Sequence, residues 1–445
     1  MFNLFNILSF ASTMKSIGGI LLALGILLAM VTIHELGHYI AGKILKFKIT
    51  EFSIGFGPAL FKRRSKKTGE LFAVRIVPLG GYCAFDGEDD YGEEAPEAKE
   101  EPFSELETTA DLAVESTVEP IMAEDGKKTD DKKESVAYPE PTGVRFNEQA
   151  PWKRIIVLLA GVTMNYILAI VLIIVMFAGF GRPLLQVQKN DYVLDANGEK
   201  VYYNTEKSIE TYNTGLQTGD IILEIDGKRM YLTTDYTDVL HGKKSGEEIV
   251  LQILRDGKEE TLTLTIVDDA NVKNMSDTNA IFFSLGIACR EELPDENGVM
   301  KLTLTRGGAI KQTHIREGFF QTIGSSFVYS VKIGGTLLRS LGELLTGKLG
   351  ITAMGGPITT ISITSQVATS GVASFLNMFA FIGVNLAVFN LLPIPALDGC
   401  RIIFCIIEWI RKKPINRKVE AIINTAGILF LFGFAILVDV LQLIL

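Results

Sequence analysis

The strongest chemical signal in this chain is His34-Glu35-Leu36-Gly37-His38. On a helix, an H-E-x-x-H run sets two imidazoles at i and i+4, on one face, where both reach one zinc ion. The intervening glutamate stands beside them and can take a proton from a water that the ion activates. The motif closes an apolar run, for residues 17–33 contain no Asp, Glu, Lys or Arg. Ionisable groups in such a run are costly to bury and point to function. The chemistry they imply is hydrolysis of a peptide bond inside a bilayer.

Two histidines need a third ligand and an open position for water. His241 and His314 lie in a segment that the charge pattern puts across the membrane from the motif. Asp398 is the best carboxylate. It follows 23 uncharged residues and belongs to the run Asn390-Leu391-Leu392-Pro393-Ile394-Pro395-Ala396-Leu397-Asp398-Gly399. Pro393 and Pro395 break the helix there and turn the aspartate inward.

Membrane spans must position these groups. The chain has 445 residues and is 47% hydrophobic. That is high for a soluble protein and low for spans alone, so spans and water-exposed domains are both expected. Four stretches exceed the roughly 20 residues that cross a hydrocarbon core: about 17–40, 155–180, 375–397, and 421 to the C-terminus. The first is expected to be an uncleaved anchor, since cleavage after it would remove the zinc motif. The loops rich in Lys and Arg follow span one, precede span two and follow span three, and are expected in the cytoplasm. Residues 183–374 are then outside, and Asp398 lies at the depth of the zinc motif. Asp439, near the outer end of span four, is expected at the membrane interface.

The formal charge of −9 is uneven. Between Asp86 and Glu140 there are 20 acidic and 5 basic residues, a net of −15, so the remainder carries +6. Disorder is expected for this acidic insert. Residues 49–83 read as a β-hairpin or small sheet, with Lys67-Thr68-Gly69 as a turn. It directly follows the zinc helix and is expected to dip into the membrane. Its 71–77 strand, including Val74 and Ile76, is expected to offer an edge to an extended substrate, and Pro78-Leu79-Gly80-Gly81-Tyr82 either to serve the same edge or to form only a turn. Residues 183–310 show strand-like runs with turns at Asp226-Gly227 and Asp256-Gly257. Residues 317–346 read as an amphipathic helix on the outer membrane surface. Asn165 either lines the site or hydrogen-bonds between spans. Cys400 and Cys405 read as small packing residues.

Taken with their order, these pieces resemble the site-2 protease family of intramembrane metalloproteases. H-E-L-G-H and N-L-L-P-I-P-A-L-D-G match its two hallmark motifs, and P-L-G-G-Y, Gly161 to Asn165 and Gly355-Gly356-Pro357-Ile358 are further family-like pieces. Within it, the chain is similar to the bacterial regulator of sigma-E type, which cleaves anti-sigma factors. The resemblance implies Zn²⁺ held by His34, His38 and Asp398, with Glu35 as general base. It implies that Asn390 contacts substrate backbone. Pro393 and Pro395 in the same run, and Val74, Ile76, Gly80, Gly81 and Asn165, are further expected substrate contacts. It also implies a PDZ domain, and Gly215 to Gly227 looks like that fold's G-L-x-x-G-D-x-I-x-x-I-x-G run.

The resulting expectation is a polytopic α-helical membrane protein of four spans, with a membrane-associated β-hairpin and an external, mostly-β PDZ-like domain. Its segments are 1–48 (first span), 49–85 (β-region), 86–150 (acidic insert), 151–182 (second span), 183–310 (PDZ-like domain), 311–374 (amphipathic helix and connector), 375–400 (third span) and 401–445 (basic turn and fourth span). Expected partners are the lipid bilayer and pre-trimmed single-span membrane proteins of the anti-sigma-factor kind, or signal-peptide remnants, and no nucleic acid. The expected location is a bacterial inner membrane. An idle scaffold would usually have lost a motif residue, and a transporter would show paired interrupted helices in matching halves.

Overall fold

The computed structural model describes residues 4–88, 138–187, 215–266, 310–350 and 355–444, with 192–194, 200–202, 210–211, 284–285, 287–294 and 300–305. Its helices are α1 (Leu4–Ile44), α2 (Pro151–Phe180), α3 (Thr233–Leu240), α4 (Phe319–Leu345), α5 (Pro357–Ala368), α6 (Val372–Leu391), α7 (Asp398–Arg411) and α8 (Arg417–Ile444). Four of them are long and apolar enough to cross a membrane: Ile17–Ile44, Pro151–Phe180, Val372–Leu391 and Arg417–Gln442.

The third span stops at Leu391, six residues before the end expected from its lack of charge. Leu392 is extended (φ −67°, ψ 148°), the conformation forced on a residue before proline. Asp398 therefore does not close that span. It opens α7, in that helix's first turn.

Small residues let the spans meet closely, which replaces the hydrophobic drive that lipid removes. A Cβ on Gly37 would stand 2.8 Å from Cα of Gly161, so α1 and α2 touch backbone to backbone inside the zinc motif. A Cβ on Gly383 would stand 2.6 Å from Cε of Met30 and 3.2 Å from Cβ of Ala169, where α1, α2 and α6 converge.

Strands β1 (Ile49–Arg64) and β2 (Leu71–Phe85) form the expected hairpin. They pair twice. Residues 51–54 are aligned with 81–84 on one flank and with 71–74 on the other, and 61–64 are aligned with 71–74 in turn. The 71–74 stretch is thus interior, with Ile54 and Phe61 both aligned with Val74. Within the 71–77 stretch expected as an edge, 71–74 therefore has partners on both sides, while Arg75 and Val77 each have one. The outer stretch nearest the zinc helix is 81–85. Phe56, Leu60, Phe61, Val74, Ile76 and Val77, at the end of the sheet away from the 65–70 turn, are exposed, an apolar surface that suits insertion into lipid. Inside it, Arg75 donates to Glu51 (2.6 Å), Ser53 (2.8 Å) and the Tyr82 hydroxyl (2.8 Å). These bonds neutralise a charge that lipid would not tolerate.

The acidic insert lies mostly outside the described residues, but its two rims are pinned together. Lys48 N donates to Val144 O, Asp86 N to Lys48 O, and Phe146 N to Asp86 O. The Lys48 ammonium (2.6 Å), and then Arg145, hold the Asp86 carboxyl below its usual range.

Strands β3 (Arg182–Val187), β4 (Tyr192–Leu194), β5 (Lys200–Tyr202), β6 (Glu210–Thr211), β7 (Ile221–Ile225), β8 (Lys228–Arg229), β9 (Glu248–Arg255), β10 (Lys258–Thr265), β11 (Ile287–Pro294), β12 (Met300–Thr305) and β13 (Ile310–Ile315) make a β-rich unit. Its main sheet runs β10-β9-β7-β3-β13, with β8 on β7. Asp226-Gly227 and Asp256-Gly257 have φ of 48°, 74°, 49° and 78°, as two-residue hairpin turns require. Its core holds Leu216, Ile222, Ile225, Met230, Tyr236, Ile249, Leu251 and Ile253.

Helix α4 buries its small polar face (Thr322, Ser325, Ser326, Ser330) and exposes Phe319, Phe320, Phe327 and Val331. The polar face meets the spans, where Tyr166 Oη and Ser330 Oγ lie 3.0 Å apart and Tyr329 donates to Asn377 (3.0 Å). Its apolar face is exposed, as suits a helix lying against lipid. Lys332 pairs with Asp235 (2.6 Å) and Arg339 with Asp238, tying α4 to α3 of the β-rich unit. Helix α5 lies in the stretch expected only as a connector. Asp439 of α8 accepts from its Ile358 N–H (3.2 Å), so this acid caps a helix N-terminus. Cys83, Cys400 and Cys405 are buried and unpaired, as packing residues would be.

Candidate metal centre

The i,i+4 spacing on α1 brings His34 Nε2 and His38 Nε2 within 3.1 Å of each other. The start of α7 brings Asp398 to them: its Oδ2 lies 3.0 Å from His34 Nε2 and 3.4 Å from His38 Nε2. One donor atom from each residue falls within 4.8 Å of the others, and both histidines are buried. Asp398 Oδ2 is buried with no hydrogen-bond partner. Two imidazoles and a carboxylate aimed at one point are the donor set of a catalytic zinc site, with a coordination position left over.

Helix α2 shapes the site from behind. His38 Nδ1 donates to the carbonyl of Val157 (2.8 Å), which turns Nε2 toward the donor cluster. Gly161 leaves the space in which the rings stand, since a Cβ there would lie 2.5 Å from His38 Nε2 and 2.9 Å from His34 Cε1. Buried Arg154 pairs with buried Glu408 of α7, and Glu408 also takes Arg417 (3.4 Å) and the Ile415 N–H (2.9 Å). This pair ties the helix that starts at Asp398 to the helix that aligns His38.

The loop before Asp398 is braced by α8. Ala396 holds φ at +78°, a left-handed conformation unusual for alanine. Its N–H donates to Asn424 Oδ1 (3.3 Å). A Cβ on Gly427 would stand 2.7 Å from the Pro395 carbonyl, so span four seats directly on this loop. Neither Asn424 nor Gly427 is visible as a site residue from sequence. No motif marks them, and they matter only through contacts made across the fold.

The other expected site residues divide. Asn390 Nδ2 lies 3.4 Å from His34 Nε2, beside the donor cluster. Gly81 is also close, since a Cβ there would be 3.5 Å from Glu35 Cγ. Gly80, at φ +125°, packs under Phe56. Asn165 is fully buried, with its amide 3.4 Å from His34 Nδ1. This contact joins α2 to α1 beside the donor cluster. Val74 and Ile76 lie toward the end of the sheet away from the 65–70 turn, with Val74 in the doubly paired stretch. Pro395 faces α8, and Pro393 is exposed in the 392–397 loop.

Residues 22–434 match peptidase family M50. The chain is 28% identical over 438 residues to the regulator of sigma-W protease RasP of Bacillus subtilis, covering 90% of this chain and 92% of that one. It is 29% identical over 435 residues to the zinc metalloprotease RasP of Bacillus licheniformis, covering 90% and 93%.

Proposed function

The chain belongs to peptidase family M50 and is a membrane zinc metalloprotease, and from that premise we propose that it cuts peptide bonds inside the transmembrane segments of single-span membrane proteins. The observation that carries this reading is the His34, His38 and Asp398 cluster, built at the end of an uncharged span with both histidines buried among helices. We assign the zinc to these three side chains. Bound there, the ion supplies Lewis acidity toward the scissile carbonyl.

Glu35 is the general base. It takes the proton of the attacking water and returns it to the leaving amine. Asn390, next to the donor cluster, holds the substrate backbone. A helical substrate hides its amides and must unwind. The outer 81–85 stretch, with Gly81 beside Glu35, is the edge that would hold it extended.

The Lys and Arg distribution supports residues 42–153 and 401–418 in the cytoplasm of a bacterial cell and 183–374 outside its inner membrane. The β-rich unit is then an external PDZ-like domain. Its α3 is held by two ion pairs to α4, which suits a fixed filter against bulky ectodomains better than a mobile peptide trap. The regulator of sigma-W name of the Bacillus subtilis relative favours anti-sigma-factor-like substrates, already trimmed outside.

The test is cleavage of a single-span substrate by purified protein and by Glu35→Gln. Zinc should stay bound while turnover falls about 10²–10⁴-fold. Full cleavage by a folded Glu35→Gln variant would remove Glu35 as base. Cleavage by a metal-stripped parent would remove the zinc from the reaction.

A further inference from the structure

We infer that Asn165 is the outer hydrogen-bond acceptor that fixes the tautomer and orientation of His34 for zinc, a positioning residue and not a substrate contact. The inference rests on the zinc assignment above. A histidine that ligates through Nε2 carries its proton on Nδ1, and that N–H needs an acceptor. For His38 the acceptor is the Val157 carbonyl at 2.8 Å. For His34, whose Nε2 faces Asp398 at 3.0 Å, Nδ1 faces the Asn165 amide at 3.4 Å.

Asn165 is 0% exposed, and its Oδ1 has no hydrogen-bond partner. Half a turn of the terminal amide exchanges oxygen and nitrogen. With oxygen toward His34, the orphaned acceptor and the imidazole N–H satisfy each other. Complete burial excludes substrate from this amide.

The position on α2 fits the role. Val157, Gly161 and Asn165 are spaced by four, a single stripe on one helix face. Along it, the first residue aligns His38, the second leaves room for both rings, and the third aligns His34. One face of span two thus serves both imidazoles.

The experiment measures zinc dissociation constants by chelator competition in detergent, for the parent, Asn165→Leu and Asn165→Asp. Leucine keeps the shape and removes the acceptor, and aspartate keeps an acceptor. The expected result is roughly 10–100-fold weaker zinc binding for the leucine variant and binding close to the parent's for the aspartate variant. Cobalt(II) loaded into the same proteins should show a ligand-field spectrum altered by leucine and preserved by aspartate. Parent-like zinc affinity in folded Asn165→Leu would overturn the proposal. So would a loss of roughly 10–100-fold in folded Asn165→Asp, a result that decides the matter even if the leucine variant does not fold. A parent that binds no zinc would fail the zinc reading itself, a result separable from the variant comparison.

Discussion

A Cβ on Gly161 would stand 2.5 Å from Nε2 of His38. The ring cannot easily give way, because its other nitrogen is bonded to the Val157 carbonyl on the same helix. Gly161→Ala should therefore displace a ligand without altering one. Zinc content and cleavage should both fall sharply while the spans still assemble. An alanine variant with full zinc occupancy by atomic absorption would contradict the crowding.

The brace from α8 sets a graded prediction. Asn424→Leu removes the acceptor for the Ala396 N–H, a bond worth about 1 kcal/mol. Asp398 should then be held less firmly, with zinc affinity and kcat/KM several-fold lower. Ala396→Gly relieves a left-handed alanine, which costs roughly 1–2 kcal/mol, and should be tolerated with equal or higher thermal stability. Loss of stability in that glycine variant would show that the strain is absent.

The Arg154–Glu408 pair is buried on both sides. Glu408→Met strips Arg154 of this partner and should destabilise the protein by about 3–5 kcal/mol. Arg154→Met should cost less, because Glu408 keeps Arg417 and the Ile415 N–H. The double variant should recover much of the loss, since two apolar side chains leave no unpaired buried charge. Thermal unfolding in detergent orders the three, and a double variant worse than either single would refute the pairing.

Double pairing of the 71–74 stretch predicts a folding defect from Val74→Pro, because proline removes an N–H inside a sheet. Limited proteolysis should cut the hairpin, with substrates of all helix strengths affected alike. A stable Val74→Pro protein that fails only on helix-stable substrates would restore this stretch as the substrate clamp.

Topology can be read with an impermeant thiol reagent on intact cells. Lys258 and Lys67 are both exposed. Cysteine at 258 should label, and cysteine at 67 should not. The reverse pattern would invert the orientation and remove the external filter.

Much of this protein is decided locally and is legible in sequence. The H-E-x-x-H face follows from helical periodicity, the four spans from uncharged length, and the hairpin turns at Asp226-Gly227 and Asp256-Gly257 from the left-handed backbone they need. Asp398 stood out because two prolines and an uncharged run isolate it. Tertiary structure alone decided the end of span three in relation to α7, the interior place of the 71–74 stretch, the capping role of Asp439, the burial of Asn165 against His34, and the seating of Asn424 and Gly427 on the Asp398 loop. The physical reason is separation along the chain. His34 meets Asn165 across 131 residues and Asn390 across 356. A pattern of residue types shows which groups can do chemistry, but which neighbour satisfies a buried polar atom depends on how distant helices pack.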